Sequence, residues 1–137
     1  RQPWILNRYL DWAFNESSRI RKQDGSSVFR SVAGNNFGRD LAFSYLRDKW
    51  DAIVDYYGKS FFSFGNLVKG VSSSFNTKFE LQQLRQFYSE KKGNLGSAER
   101  SFKQSVENTE ANVEWMQRNY GEIQTWILKQ SKNLKNR

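Results

Sequence analysis

The sequence predicts an all-α protein, and three observations carry that reading. Apolar residues recur at three- and four-residue spacings along nearly the whole chain, the period of a helix with one buried face. Residues that start and stop helices stand at the edges of those periodic segments. Only Ser60 to Phe64 alternates enough to suggest a strand, and a lone strand has nothing to pair with.

Taken in order, Trp4, Ile5, Tyr9, Leu10 and Trp12 suggest a first helix with Pro3 in its first turn. Asp24 is placed to cap a shorter helix carrying Val28, Phe29, Val32 and Ala33, which stops near Gly34 and Asn35. Phe37, Leu41, Ala42, Tyr45, Leu46, Trp50, Ile53, Val54 and Tyr57 then share one face of a long helix, with Asn36 as its cap and Gly58 as its stop. Leu67, Val68 and Val71 fit a short helix that fades into Ser72-Ser73-Ser74. Thr77 and Glu80 stand in the capping-box relation, in which the hydroxyl accepts a backbone N–H and the carboxylate reaches back. Phe75, just outside, is placed for a staple-like contact, and Leu81, Leu84, Phe87 and Tyr88 form the stripe that follows, as far as Gly93. Ser97 can cap a helix carrying Phe102, Val106, Val113 and Met116, whose face Trp115 widens, and a last helix carries Ile123, Trp126 and Ile127. The tryptophans Trp4, Trp12, Trp50, Trp115 and Trp126 lie mainly on or beside these stripes, so core packing is expected of them.

Six or seven helices with short links favour antiparallel neighbours. Helices that follow one another as pairs suggest a stacked, HEAT- or armadillo-like superhelix, although no exact repeat is visible. One domain accounts for all 137 residues. The chain opens on Arg1 and enters a helix almost at once, which reads as a piece of a longer polypeptide.

Composition excludes more than it assigns. With no cysteine and no histidine, the chain has no disulfide framework, thiol nucleophile or thiolate metal site, and no imidazole base or ligand. A Ser-His-Asp, Cys-His or H-E-x-x-H centre within it is impossible. No apolar run approaches the roughly 18 residues that a membrane-spanning helix needs. The net charge of +8 invites a nucleic-acid reading, but the 22 basic residues are interleaved with 14 acidic ones, so no nucleic-acid partner is expected. The clearest basic cluster, Lys129, Lys132, Lys135 and Arg137, reads as a solvated helix end that complements the helix dipole.

Few residues suggest chemistry. Glu107, Glu110 and Glu114 share a helix face, but with Lys103 and Arg118 nearby they read as a solvated surface and not as metal ligands. Asn15-Glu16-Ser17 matches the N-glycosylation acceptor pattern. The block IRKQD, Ile20 to Asp24, sets two cations, an amide and a carboxylate at a helix entrance. In YYGKSFFSFGNLV, five rings fall within Tyr56 to Phe64, where they either plug a core or line a surface.

Five blocks appear in a fixed order: IRKQD, GRDLAFSYLRDKWD, YYGKSFFSFGNLV, FNTKFELQQLRQFY and ANVEWMQRNYGEIQTWI. As a set, from about Trp4 to Ile127, they resemble the C-terminal part of the aminopeptidase N-type zinc metallopeptidases, a family that includes the endoplasmic reticulum, glutamyl and insect midgut aminopeptidases. The resemblance implies a non-catalytic helical domain that covers a peptide chamber, with the zinc-bearing catalytic domain upstream and no cofactor in this part. It implies a chain at the cell surface or in the secretory lumen, peptides as substrates of the parent, and in some members a homodimer contact. The chamber-facing positions of the family fall on Phe62 and Ser63 and on Ser74. The glutamyl type carries a cation where Phe62 stands, so Phe62 resembles the version suited to neutral and apolar residues. Arg21 and Gln23 match a family block and either face the chamber or brace the superhelix. A different class stays open beside this one: a helical scaffold for protein interaction or dimerisation, with no role in catalysis.

Overall fold

A computed structural model describes residues 2–58 and 64–135. Among them are seven α-helices, two 3-10 turns and no strand, so the all-α expectation holds. The helices are α1 (Pro3–Ala13), α2 (Gly25–Ala33), α3 (Arg39–Asp48), α4 (Trp50–Tyr57), α5 (Phe64–Ser72), α6 (Lys78–Lys91) and α7 (Glu99–Lys135). The 3-10 turns, Lys22–Asp24 and Gly96–Ala98, lead into α2 and α7.

The short helix α5 is the hub. Phe64, Leu67, Val68 and Val71 are each no more than 1% exposed, and only the face that carries Asn66 and Lys69 meets solvent. It packs against α2 and α3 on one side and α7 on the other. Nine residues could not hold a helix alone in water, so tertiary packing sustains this one. The second anchor is Trp50, fully buried at the start of α4. Its ring meets Phe64, Phe87 and Phe102 at centroid distances of 5.6, 5.5 and 5.6 Å, and its indole N–H donates to the Asn94 carbonyl at 3.1 Å. The other four tryptophans depart from the expectation of core packing: Trp4, Trp12, Trp115 and Trp126 are 44–62% exposed.

Four local expectations are corrected. The stripe from Phe37 to Tyr57 does not lie on one helix. The backbone leaves helical dihedrals at Lys49 (φ −107°, ψ 10°) and resumes at Trp50, although no glycine or proline forces the break. Phe37 lies before α3 and is 63% exposed, and the cap position is Gly38, not Asn36. The turn there is organised by Asn35, whose side-chain oxygen accepts from the Phe37 N–H at 2.9 Å. Asp24 occupies the cap position of α2 without capping it, because its carboxylate is engaged by Arg21 at 2.7 Å. The two helices expected to carry Phe102–Met116 and Ile123–Ile127 are one helix of 37 residues. Gly121, the weakest helix former between them, lies within it, since one glycine costs only about 1 kcal/mol against a cooperative run.

Other signals read as written. Thr77 accepts from the Glu80 N–H at 3.2 Å while Glu80 accepts from the Thr77 N–H at 3.0 Å, the reciprocal capping box at the start of α6. Gly58 ends α4 with φ +83° and ψ 153°, a conformation that a side chain rarely adopts. The strand-like stretch Ser60 to Phe64, apart from Phe64 itself, lies outside the described residues, as does Phe61.

Helix α6 runs antiparallel to α7. Phe87 meets Phe102 at 4.9 Å, Arg85 pairs with Glu110, and the first turn of α6 lies beside Val113 and Gln117. Helix α7 therefore outruns its partner, and every residue from Tyr120 to Leu134 is exposed.

Candidate substrate-facing surface

Of the expected chamber-facing residues, Phe62 and Ser63 lie outside the described residues. Ser74 is exposed in the turn between α5 and α6, beyond the C-terminal end of α5, whereas Phe64 opens that helix at its other end. A helix of nine residues separates the two ends by about 13 Å.

The turn that holds Ser74 borders a cleft between α3 and α6 of about 340 Å³. Phe43 and Phe75 line it edge-to-face at 5.1 Å, and Phe79, 69% exposed, stands in its wall. Ser44, Gln83, Asp40 and Glu80 supply the polar lining. The cleft is held in shape by its rim. Arg39 of α3 pairs with Glu80 of α6 at 3.2 Å and lies over the Phe75 ring, with its guanidinium carbon 5.9 Å from the centroid. Arg47 donates to Gln83 at 2.8 Å, and Asn112 of α7 donates to the Phe75 carbonyl at 2.9 Å.

Glu80 is the most heavily engaged carboxylate. Burial pushes its pKa up, but donation from the Asn76 and Thr77 N–H groups and the Thr77 hydroxyl, with the Arg39 charge, outweighs burial and holds it below the usual range. It is therefore a structural anion with its oxygens occupied, unsuited to act as a base. Among the described residues no group of three or more carboxylates could hold a metal. The surface can recognise an apolar side chain; it offers no nucleophile–base pair for hydrolysis.

Gln23 is exposed on the 3-10 turn before α2, and Arg21, also exposed, immediately precedes that turn. Arg21 is spent on its local ion pair with Asp24. The turn is pinned by backbone: the Tyr57 hydroxyl, at the end of α4, donates to the Lys22 carbonyl at 2.8 Å. Gly25 fits beneath because a Cβ there would stand 2.0 Å from the Ala13 carbonyl oxygen and 2.5 Å from the Tyr57 hydroxyl. Burial raises the Tyr57 hydroxyl to about 12, with the neighbouring Tyr56 adding to the shift, so it stays a donor across the physiological range. Asn15 is exposed, and its side-chain oxygen accepts from the Ser17 N–H at 2.8 Å.

Sequence reasoning missed the cleft. The Thr77–Glu80 box was legible, but the Arg39–Glu80 pair spans 41 residues, and no local pattern announces it.

The family model of the ERAP1-like C-terminal domain matches residues 1–111. Aminopeptidase N of Bos taurus is 41% identical over 128 residues, which is 90% of this chain and 13% of that protein. The human aminopeptidase N is 38% identical over 136 residues, 96% of this chain and 14% of that protein. Aminopeptidase A of Gloydius brevicauda is 32% identical over 123 residues, with similar coverage. The chain thus spans about one seventh of the length of these relatives. With the family model matched across most of its length, the chain belongs to the ERAP1-like C-terminal domain family.

Proposed function

We propose that this chain is the C-terminal, non-catalytic domain of a zinc aminopeptidase of the aminopeptidase N type, and that it walls the chamber in which peptides lose their N-terminal residues. The observation that carries the reading is similarity to aminopeptidases along nearly the whole chain, at 38–41% identity to aminopeptidase N of two mammals. The chemistry agrees. A chain with no histidine and no cysteine supplies no zinc site of the H-E-x-x-H type, so hydrolysis belongs to a part of the parent upstream. What this domain contributes is shape, exclusion of water and contacts to the residues after the scissile bond. In this reading the helices form part of a HEAT-like superhelix, and the parent sits at the cell surface or in the secretory lumen, where Asn15 is an accessible glycosylation acceptor.

Phe62 is the residue that this reading makes most specific. An apolar ring in the chamber favours neutral and apolar residues just beyond the cleaved bond, and Ser63 and Ser74 are further chamber-facing positions in this reading. Replacing Phe62→Arg in the parent enzyme is expected to raise kcat/KM for peptides with an acidic residue at that position relative to apolar ones. The expected change is roughly tenfold, or 1–2 kcal/mol of differential transition-state binding. A panel of peptides with unchanged kcat/KM ratios would remove Phe62 from the chamber wall. A parent without aminopeptidase activity would overturn the reading itself.

A further inference from the structure

The face of α7 that packs on the core does not end where the core ends. Phe102, Ser105 and Thr109 are buried, and Met116 is half-buried at the edge. Tyr120, Ile123, Ile127 and Leu134 continue at spacings of three, four and seven, which at about 100° per residue keeps them on the same side of the helix. These four are 41–73% exposed, with Trp126 beside them at 62%. The segment from Tyr120 to Leu134 is 15 residues on a helix that rises about 1.5 Å per residue, so a stripe of roughly 22 Å stands uncovered. It extends past the first turn of α6, in line with the α6–α7 interface.

The rest of the segment narrows what can cover it. Gln117 and Gln124 flank one side of the stripe, and Asn119, Gln130 and Asn133 flank the other. The charged residues Arg118, Glu122, Lys129 and Lys132 lie on the opposite side. A lipid surface on the stripe would bring amides to the headgroups and point the cations away from them, which removes the electrostatic part of interfacial binding. A helix or other protein ridge with an uncharged rim fits: apolar contact along the centre and amide hydrogen bonds at the edges. The segment is also no private tail. The match to human aminopeptidase N takes in 96% of this chain, so it reaches well into Tyr120–Lys135, whereas the family model stops at residue 111.

We propose that the distal half of α7 is an intramolecular dock, covered in the parent by the part of the same polypeptide that precedes this domain. The proposal rests on the reading above that a longer parent exists; relatives about seven times the length of this chain provide ample polypeptide to cover the stripe. In that arrangement the C-terminal helix ties the end of the domain to upstream structure.

Amide hydrogen exchange of residues 120–134, measured in the 137-residue chain and in the full parent, tests it. The expected result is exchange at least tenfold slower in the parent. The double substitution Ile123→Asp with Ile127→Asp should abolish that protection in the parent while leaving peptides from α5 and α6 unchanged. Equal exchange in the two forms would overturn the dock. So would protection that appears in the isolated chain and grows with its concentration, which would mean a second copy, or protection only on phosphatidylcholine–phosphatidylserine vesicles, which would mean a membrane. Aminopeptidase assay of the same parent sample is a separate readout, so failure of the functional reading is distinguishable from failure of the dock.

Discussion

From Phe102 to Val113 and from Tyr120 to Leu134, α7 carries one apolar stripe in one register, yet Phe102 is fully buried and Leu134 is 73% exposed. The first half sits against α5 and α6; the second projects beyond them. Backbone, pattern and handedness are the same, so only the presence of a partner separates the halves. Hydrophobic periodicity therefore reports that a face is meant to be covered, and says nothing of whether the covering element lies in the same piece of chain.

The largest test of that comparison is a pair of truncations in the isolated chain. Phe102→Ala removes a ring that meets Trp50, Phe87 and Tyr88 at 5.6, 4.9 and 5.9 Å, and should cost about 3–5 kcal/mol in denaturant unfolding, enough to leave the domain largely unfolded. Ile127→Ala removes a side chain that is 53% exposed, and alanine is the better helix former, so the change should stay within about 0.5 kcal/mol. Comparable losses at the two sites would mean that the distal half packs on something within the chain itself, and the contrast would fail.

The same contrast explains what was legible in the sequence. Element type was readable wherever a local rule decided it: the Thr77–Glu80 box, the stop at Gly58, and the stripe of α6 all depend on residues within a few positions of one another. The fate of the tryptophans was not. Trp50 and Trp126 sit on stripes of similar quality, but one is enclosed by Phe64, Phe87 and Phe102, which come from three other helices, and the other meets solvent. The break at Lys49 and the run through Gly121 were likewise not marked by a local signal. No glycine or proline stands at Lys49 to announce its break, and cooperativity carries α7 across a poor residue. At the candidate surface, Ser74 could be placed on a turn from Ser72-Ser73-Ser74, whereas the cleft beside it depends on Arg39 finding Glu80 across the fold.

That pair supplies an intermediate test, located in the packed part of the molecule. Glu80 is held below its ordinary pKa, so its charge adds stability above the unfolded-state value near 4.3 and loses it as pH falls through the lower folded value. Glu80→Gln should therefore cost about 1–2 kcal/mol at pH 7, and the gap to the unmodified chain should close below about pH 4. Unfolding curves at pH 7, 5 and 3 read this directly. A gap independent of pH would show that the carboxylate's charge is irrelevant and that the loss lies in packing alone.

The smallest expected effect is also the one that separates the halves most cleanly. Gly121 lies inside α7 where a Cβ would meet nothing within 4 Å, so Gly121→Ala adds helix propensity without touching a neighbour. Removing a mid-helix glycine favours local helix by about 0.5–1 kcal/mol. Because every residue from Tyr120 to Leu134 is exposed, that gain should stay local. Exchange of amides near the substitution should slow by several-fold and far-UV circular dichroism should show more helix, while the unfolding midpoint of the domain moves by less than about 1 °C. A midpoint that rises by several degrees would mean that the two halves of α7 unfold together. The projecting segment would then belong to the cooperative core despite its exposure, and the division drawn at Tyr120 would have to move toward the C-terminus.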